Sequence, residues 1–264
     1  MIDASLNTPA PPPVIRRADY APPEWLVPEV TLAFELGLTR TQVLTTLKVR
    51  RNAASQTLRL NGDGLTAAAV RVDGHASNDW RMDGPDLLID LPGEAHDVTV
   101  ATTIDPAANT QLMGLYASNG MLCTQCEAEG FRRIAFFPDR PDVLSVYTVR
   151  MAGPKAQFPV LLSNGNCVNQ GEGPDGTHWA EWHDPWPKPS YLFALVAGDL
   201  VANCDSFITA SGRKVDLAIW VRDGDQDRME TAQVHGHSVR GYGRPACMHI
   251  ARPCSVRSAA RGGT

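Results

Sequence analysis

The chain has 264 residues, a formal net charge of −5, 43% hydrophobic and 20% charged residues. That length and apolar content allow a buried core and set aside disorder of the whole chain. A mildly acidic chain also argues against nucleic acid as the main partner, because phosphate recognition needs a basic surface.

Residues 1–25 carry Pro9, Pro11, Pro12 and Pro13 and show no apolar period, so they read as an extended arm. The N-terminus has an acid and no apolar h-region, which gives a cytoplasmic location as the expectation. The longest apolar run, residues 191–198, falls short of the about 20 residues a membrane span needs, and no membrane partner is expected.

Short strands separated by turn residues follow. In 30–36, Val30, Leu32, Phe34 and Leu36 fall on one face, a period of 2. Segments 42–49, 57–60, 67–72, 87–91 and 98–104 are read the same way, as are 143–151, 160–162, 179–182, 191–196 and 215–221. Between them stand Asn61-Gly62-Asp63-Gly64, Asp73-Gly74, Pro92-Gly93 and Asn164-Gly165, which accept turn conformations cheaply. Residues 26–222 therefore read as one all-β domain of roughly a dozen strands.

The segment 223–264 breaks this composition. From Glu230 onward it holds five arginines against one acid, with three histidines, two cysteines and few large apolar residues. Such a stretch cannot bury enough apolar area to offset its ordering entropy, and it reads as a disordered tail.

Cys123-Thr-Gln-Cys126 is a CxxC. A redox role would want a βαβ context and a helix N-terminus, and the surroundings read as strand and loop. A zinc site needs four ligands; Cys247, His249 and Cys254 could add to the pair on paper, but only from about 120 residues away. Free thiols are the preferred reading. No His-Glu-x-x-His occurs, and His235 and His237 merely flank Gly236. No nucleophile elbow or phosphate loop is present.

The informative cluster is Gln125-Cys126-Glu127-Ala128-Glu129. In an extended segment Gln125, Glu127 and Glu129 would share one side. A carboxylate beside an amide can hold an ammonium group by charge-assisted hydrogen bonds. By composition alone the stretch is a solvated surface.

Around this cluster, residues 17 to about 229 resemble the N-terminal domain of the bacterial aminopeptidase N family of zinc aminopeptidases. The matching blocks are Asp105-Pro-Ala-Ala-Asn-Thr110, Gly114-Leu-Tyr116, Leu122-Cys-Thr-Gln-Cys-Glu-Ala-Glu-Gly-Phe131, Asp139-Arg-Pro-Asp-Val-Leu144, Leu162-Ser-Asn-Gly-Asn166 and the run from Asp184 to Asp199. The resemblance implies a saddle-shaped, sandwich-like all-β domain that packs over a thermolysin-like catalytic domain. It implies that Gln125 and Glu127 help bind the free α-amino group of a peptide N-terminus. The family's zinc-binding helix, its downstream Glu ligand, its Gly-Ala-Met-Glu-Asn loop and its transition-state tyrosine have no match here. Matching stops near Asp227-Arg228-Met229. The expectation is a fragment with no catalytic residue and no cofactor of its own, zinc belonging to the intact family enzyme, whose partner is the missing catalytic domain. A shifted reading frame would produce the divergent tail. The alternatives are a stand-alone β interaction module acting with a separate catalytic fragment, and a thiol or zinc protein using Cys123 and Cys126.

Overall fold

Alternation of apolar and polar side chains builds the first two long strands. A computed structural model describes residues 16–225 and places them in Trp25–Glu35 and Thr41–Arg51. Val30, Leu32 and Phe34 face the core from the first. Val43, Thr45 and Leu47 face it from the second, each opposite one of them in antiparallel register. Pro28 is accommodated by a register shift between Leu26 and Glu29, where no ladder donor is needed. Of the expected tail, residues 226–264, with His235, His237, Cys247, His249 and Cys254, lie outside the described residues.

The largest sheet has eight strands, in the order Asn166–Glu172, Thr177–Lys188, Ser145–Pro154, Trp25–Glu35, Thr41–Arg51, Ala95–Ile104, Ala69–Val72 and His75–Ala76. Its neighbours are antiparallel except for Trp25–Glu35 and Ser145–Pro154, which pair in parallel. A parallel pair needs a long crossover. Here the crossover is residues 36–144, which hold four further strands of this sheet and two strands of a four-stranded sheet. That second sheet runs Val160–Ser163, Leu195–Gly198, Met121–Gln125 and Gly114–Ser118. A three-stranded sheet (Thr57–Leu60, Asp86–Asp90, Trp80–Asp83) and a hairpin (Val201–Ile208, Lys214–Val221) complete the described fold. The molecule is thus all-β, as the period-2 segments indicated, and among the described residues the helical pieces are three-residue 3-10 turns. None of these is long and apolar enough to cross a membrane.

The core is continuous between the sheets. At its centre Phe131 packs edge-on against Phe137 and Phe193, with ring centroids 5.2 Å apart in both pairs, and against Tyr147 at 6.1 Å. Edge-to-face pairs of this kind add directional attraction to apolar burial.

Two readings of the sequence change. Segment 191–196, expected as a strand, is divided: Ser190–Leu192 is a 3-10 turn after Pro189, and the strand is Leu195–Gly198. The Leu192 amide donates to the Pro189 carbonyl at 3.2 Å, which takes Leu192 off any ladder. The strands Gly114–Ser118 and Met121–Gln125 escaped period counting, although Asn119-Gly120 between them marks a hairpin. Ser118 pairs with Met121, and both turn residues have positive φ, 50° and 81°. That is the two-residue hairpin geometry that Asn-Gly favours.

The register gives a sharp contrast between neighbours. Leu47 is fully buried (0% exposed), whereas Leu44 on the opposite face is 46% exposed. Leu47→Ala is expected to cost about 2–5 kcal/mol of unfolding free energy and Leu44→Ala less than about 1 kcal/mol. Urea unfolding followed by circular dichroism measures both, with the m-value unchanged.

Candidate functional site

Gln125 is the last residue of the strand Met121–Gln125 and is exposed. The strand is held on one side by the Asn119-Gly120 hairpin and on the other by Leu195–Gly198. Thr124 locks the second contact. Its hydroxyl donates to the Leu195 carbonyl at 3.2 Å and accepts from the Leu195 amide at 2.8 Å. Asn109 steadies the hairpin's outer strand, its amide nitrogen donating to the carbonyls of Met113 (2.8 Å) and Leu115 (2.9 Å).

The chain does not stay extended beyond Gln125. Residues 127–130 form a turn, with the Gly130 amide donating to the Cys126 carbonyl at 2.8 Å. The expected one-sided row of Gln125, Glu127 and Glu129 is therefore replaced by a turn with all three side chains exposed. Closure requires glycine at its end. A Cβ on Gly130 would stand 2.4 Å from the Gln125 carbonyl oxygen and 2.9 Å from the Cys126 Cα. The Glu127–Ala128 peptide is cis.

Gln125 and Glu127 are brought together by this turn. The Gln125 side-chain amide donates to the Glu127 carbonyl at 3.3 Å, which leaves its own carbonyl oxygen free to accept. The Glu127 carboxylate makes no ion pair with a described residue. Glu129, by contrast, is paired with Arg132 at 3.2 Å. Arg132 continues inward to Asp139, which is buried (4% exposed). Sequence reading passed over Arg132 and Asp139 as site residues; Asp139 opens one of the matched blocks, which was the available signal.

Beside the turn lies an open cleft of about 320 Å³, lined by Gly62, Asp63, Gln111, Glu129, Arg132 and Arg133. Its charges are matched within the protein, Arg133 with Asp63 and Arg132 with Glu129.

Cys123 and Cys126 are free thiols, the first half-buried and the second buried. Burial pushes both thiols above their ordinary range. For Cys126 the Asp139 charge adds to this, whereas for Cys123 the Arg222 charge partly opposes it. Neither has the depressed value that makes a CxxC reactive. Among the described residues no three His, Cys, Asp or Glu side chains converge so as to hold a metal ion. The described residues therefore supply no ligand set for the family's zinc.

Of these two thiols and the exposed Cys204, a thiol-reactive probe at about pH 8 is expected to label Cys204 first, Cys123 more slowly, and Cys126 only after unfolding, as read by peptide mapping. Above about pH 8.5 the Cys126 thiol ionises in the unfolded chain but not in the folded one. Folding stability is full below that pH and falls as pH rises past it. Cys126→Ala is expected to flatten this alkaline slope.

Comparison with known proteins bears on this arrangement. Residues 30–192 match the Peptidase M1 N-terminal domain. Aminopeptidase N of Caulobacter vibrioides is 48% identical over 220 residues, covering 82% of this chain and 25% of the relative. Aminopeptidase N of Escherichia coli is 45% identical over 213 residues, covering 80% and 24%. The chain thus spans about a quarter of the length of these relatives. Among solved structures, aminopeptidase A of Legionella pneumophila, in complex with aspartic acid, superposes with a TM-score of 0.80 at 28% identity, covering 88% of this chain and 29% of that one. An M1 zinc metallopeptidase of Deinococcus radiodurans shares the fold, with a TM-score of 0.66 at 18% identity over 78% of this chain and 52% of its own.

Proposed function

The chain belongs to the M1 peptidase family, whose N-terminal domain it carries, and on that premise we propose that it is the amino-group recognition part of a zinc aminopeptidase. Gln125 and Glu127 bind the α-amino group of a peptide substrate. The observation that carries this reading is the exposed Glu127 carboxylate, ion-paired with no described residue, at the start of a turn closed by its own backbone.

Glu127 offers an acceptor charge to an ammonium ion, and the free carbonyl oxygen of Gln125 offers a second acceptor beside it. An internal peptide bond carries no such charge, so the pair selects chain ends. The role is positioning. Fixing the ammonium sets where the first peptide bond falls, and no proton has to move through Glu127. In the chain alone the carboxylate faces water, which screens the attraction and keeps it weak.

The partner in this reading is the catalytic domain, placed in the part of the relatives that this chain does not cover. Large apolar side chains left exposed support it, among them Trp186 at 77% and Ile208 at 65%. The domain is assigned to 26–222, and the chain by itself is expected to hydrolyse no peptide.

Nuclear magnetic resonance on the intact chain tests the recognition role. Alaninamide is expected to shift the Gln125 and Glu127 resonances with millimolar affinity, and N-acetylalaninamide, which lacks the ammonium, is expected not to. Glu127→Gln should abolish the difference. Equal shifts from both ligands, or an unchanged response in Glu127→Gln, would overturn the assignment.

A further inference from the structure

We propose that Asp139 is a positioning residue for the amino-group site, acting through Arg132 to fix the turn that bears Glu127; this rests on the amine-binding reading above. Asp139 is buried, and both of its carboxylate oxygens are used. Oδ2 accepts from the Arg132 backbone amide and from Arg132 Nε, each at 3.1 Å. Oδ1 accepts from the Ser190 hydroxyl. The backbone of Asp139 takes part as well. Its carbonyl accepts from Arg132 Nη2 at 3.0 Å, and its amide donates to Asn61 Oδ1 at 3.1 Å.

Three separate segments therefore meet at one residue, two of them at its carboxylate. Asn61 is bridged to Phe137 by hydrogen bonds of 2.8 and 3.2 Å. Ser190 opens the 3-10 turn that leads to Phe193 in the aromatic core. Arg132 lies in the 3-10 turn directly after the Glu127 turn, and its Nη2 also reaches Glu129 inside that turn at 3.2 Å. The connection thus runs from the core through Asp139 and Arg132 to a residue two places from Glu127. A buried carboxylate satisfied by charge-assisted donors is a stiff anchor, and losing one donor leaves a buried polar group exposed to the full desolvation penalty.

Asparagine keeps the shape of the side chain, but its amide nitrogen cannot accept a hydrogen bond. In Asp139→Asn either the Arg132 donors or the Ser190 hydroxyl must face that nitrogen. Using the full chain, amide hydrogen exchange reports the turn and alaninamide titration reports the site. In Asp139→Asn, exchange at Gly130 and Arg132 is expected to accelerate at least about tenfold, with the Thr41–Arg51 strand unchanged. Alaninamide affinity is expected to fall by a similar factor although Glu127 is intact. Turn amides that stay protected, or an unchanged affinity, would overturn the proposal. If the Thr41–Arg51 amides also lose protection, so that Asp139→Asn has unfolded the domain, Arg132→Lys decides by the same two criteria. Lysine keeps the charge but cannot fork between Glu129 and Asp139. Glu127→Gln separates the two levels. If it leaves alaninamide affinity unchanged, the amine reading fails and this proposal with it. If it abolishes binding while Asp139→Asn does not weaken it, only the positioning role fails.

Discussion

Two buried side chains, Cys126 and Phe131, bracket the exposed stretch that carries Glu127, and the geometry of the site follows from that bracketing. Only four residues separate them, and both ends are sunk in the core. The intervening backbone has no freedom to extend, so it folds back on itself and closes through Gly130. The polar side chains between the two anchors are forced outward. A carboxylate is thereby held at the surface by apolar burial on either side, which is a firmer support than surface ion pairs provide.

In the proposed reading, the same arrangement suits this surface to a charged ligand end. Neighbouring charges are already matched: Arg133 with Asp63, and Arg132 with Glu129 and Asp139. Glu127 stands apart from these pairs with the Gln125 carbonyl oxygen beside it. Strand pairing positions the entry to this turn, since Met121–Gln125 is gripped between two antiparallel neighbours. The long crossover between the parallel strands Trp25–Glu35 and Ser145–Pro154 contains the turn, so the site and the main sheet share one core. The chain belongs to the M1 family and spans about a quarter of the length of its aminopeptidase N relatives.

Much of the fold was legible because side-chain alternation has a direct physical cause. Val30, Leu32 and Phe34 share a face because successive strand residues point to opposite sides, and the structure buries that face. The division of 191–196 was not legible, because an apolar run looks the same whether it pairs in a ladder or packs a turn against the core. The hairpin around Asn119-Gly120 was legible in its turn residues and was hidden only by the weak apolar period of Gly114–Ser118. For the site, Gln125 and Glu127 stood out as types. Their turn did not, because Gly130 is the one turn former in residues 125–130 and the stretch before it reads equally well as extended. Long-range packing of Cys126 and Phe131 imposes it, and the clamp between Arg132 and Asp139 depends on contacts that sequence spacing does not reveal.

The most direct measurement is a crystal structure of the chain soaked with alaninamide. The ammonium nitrogen is expected within about 3 Å of the Glu127 carboxylate, with the Gln125 carbonyl oxygen as a second acceptor. An ammonium bound instead at Asp63 or Glu129, with Glu127 unoccupied at saturating ligand, would contradict the recognition role assigned to this turn.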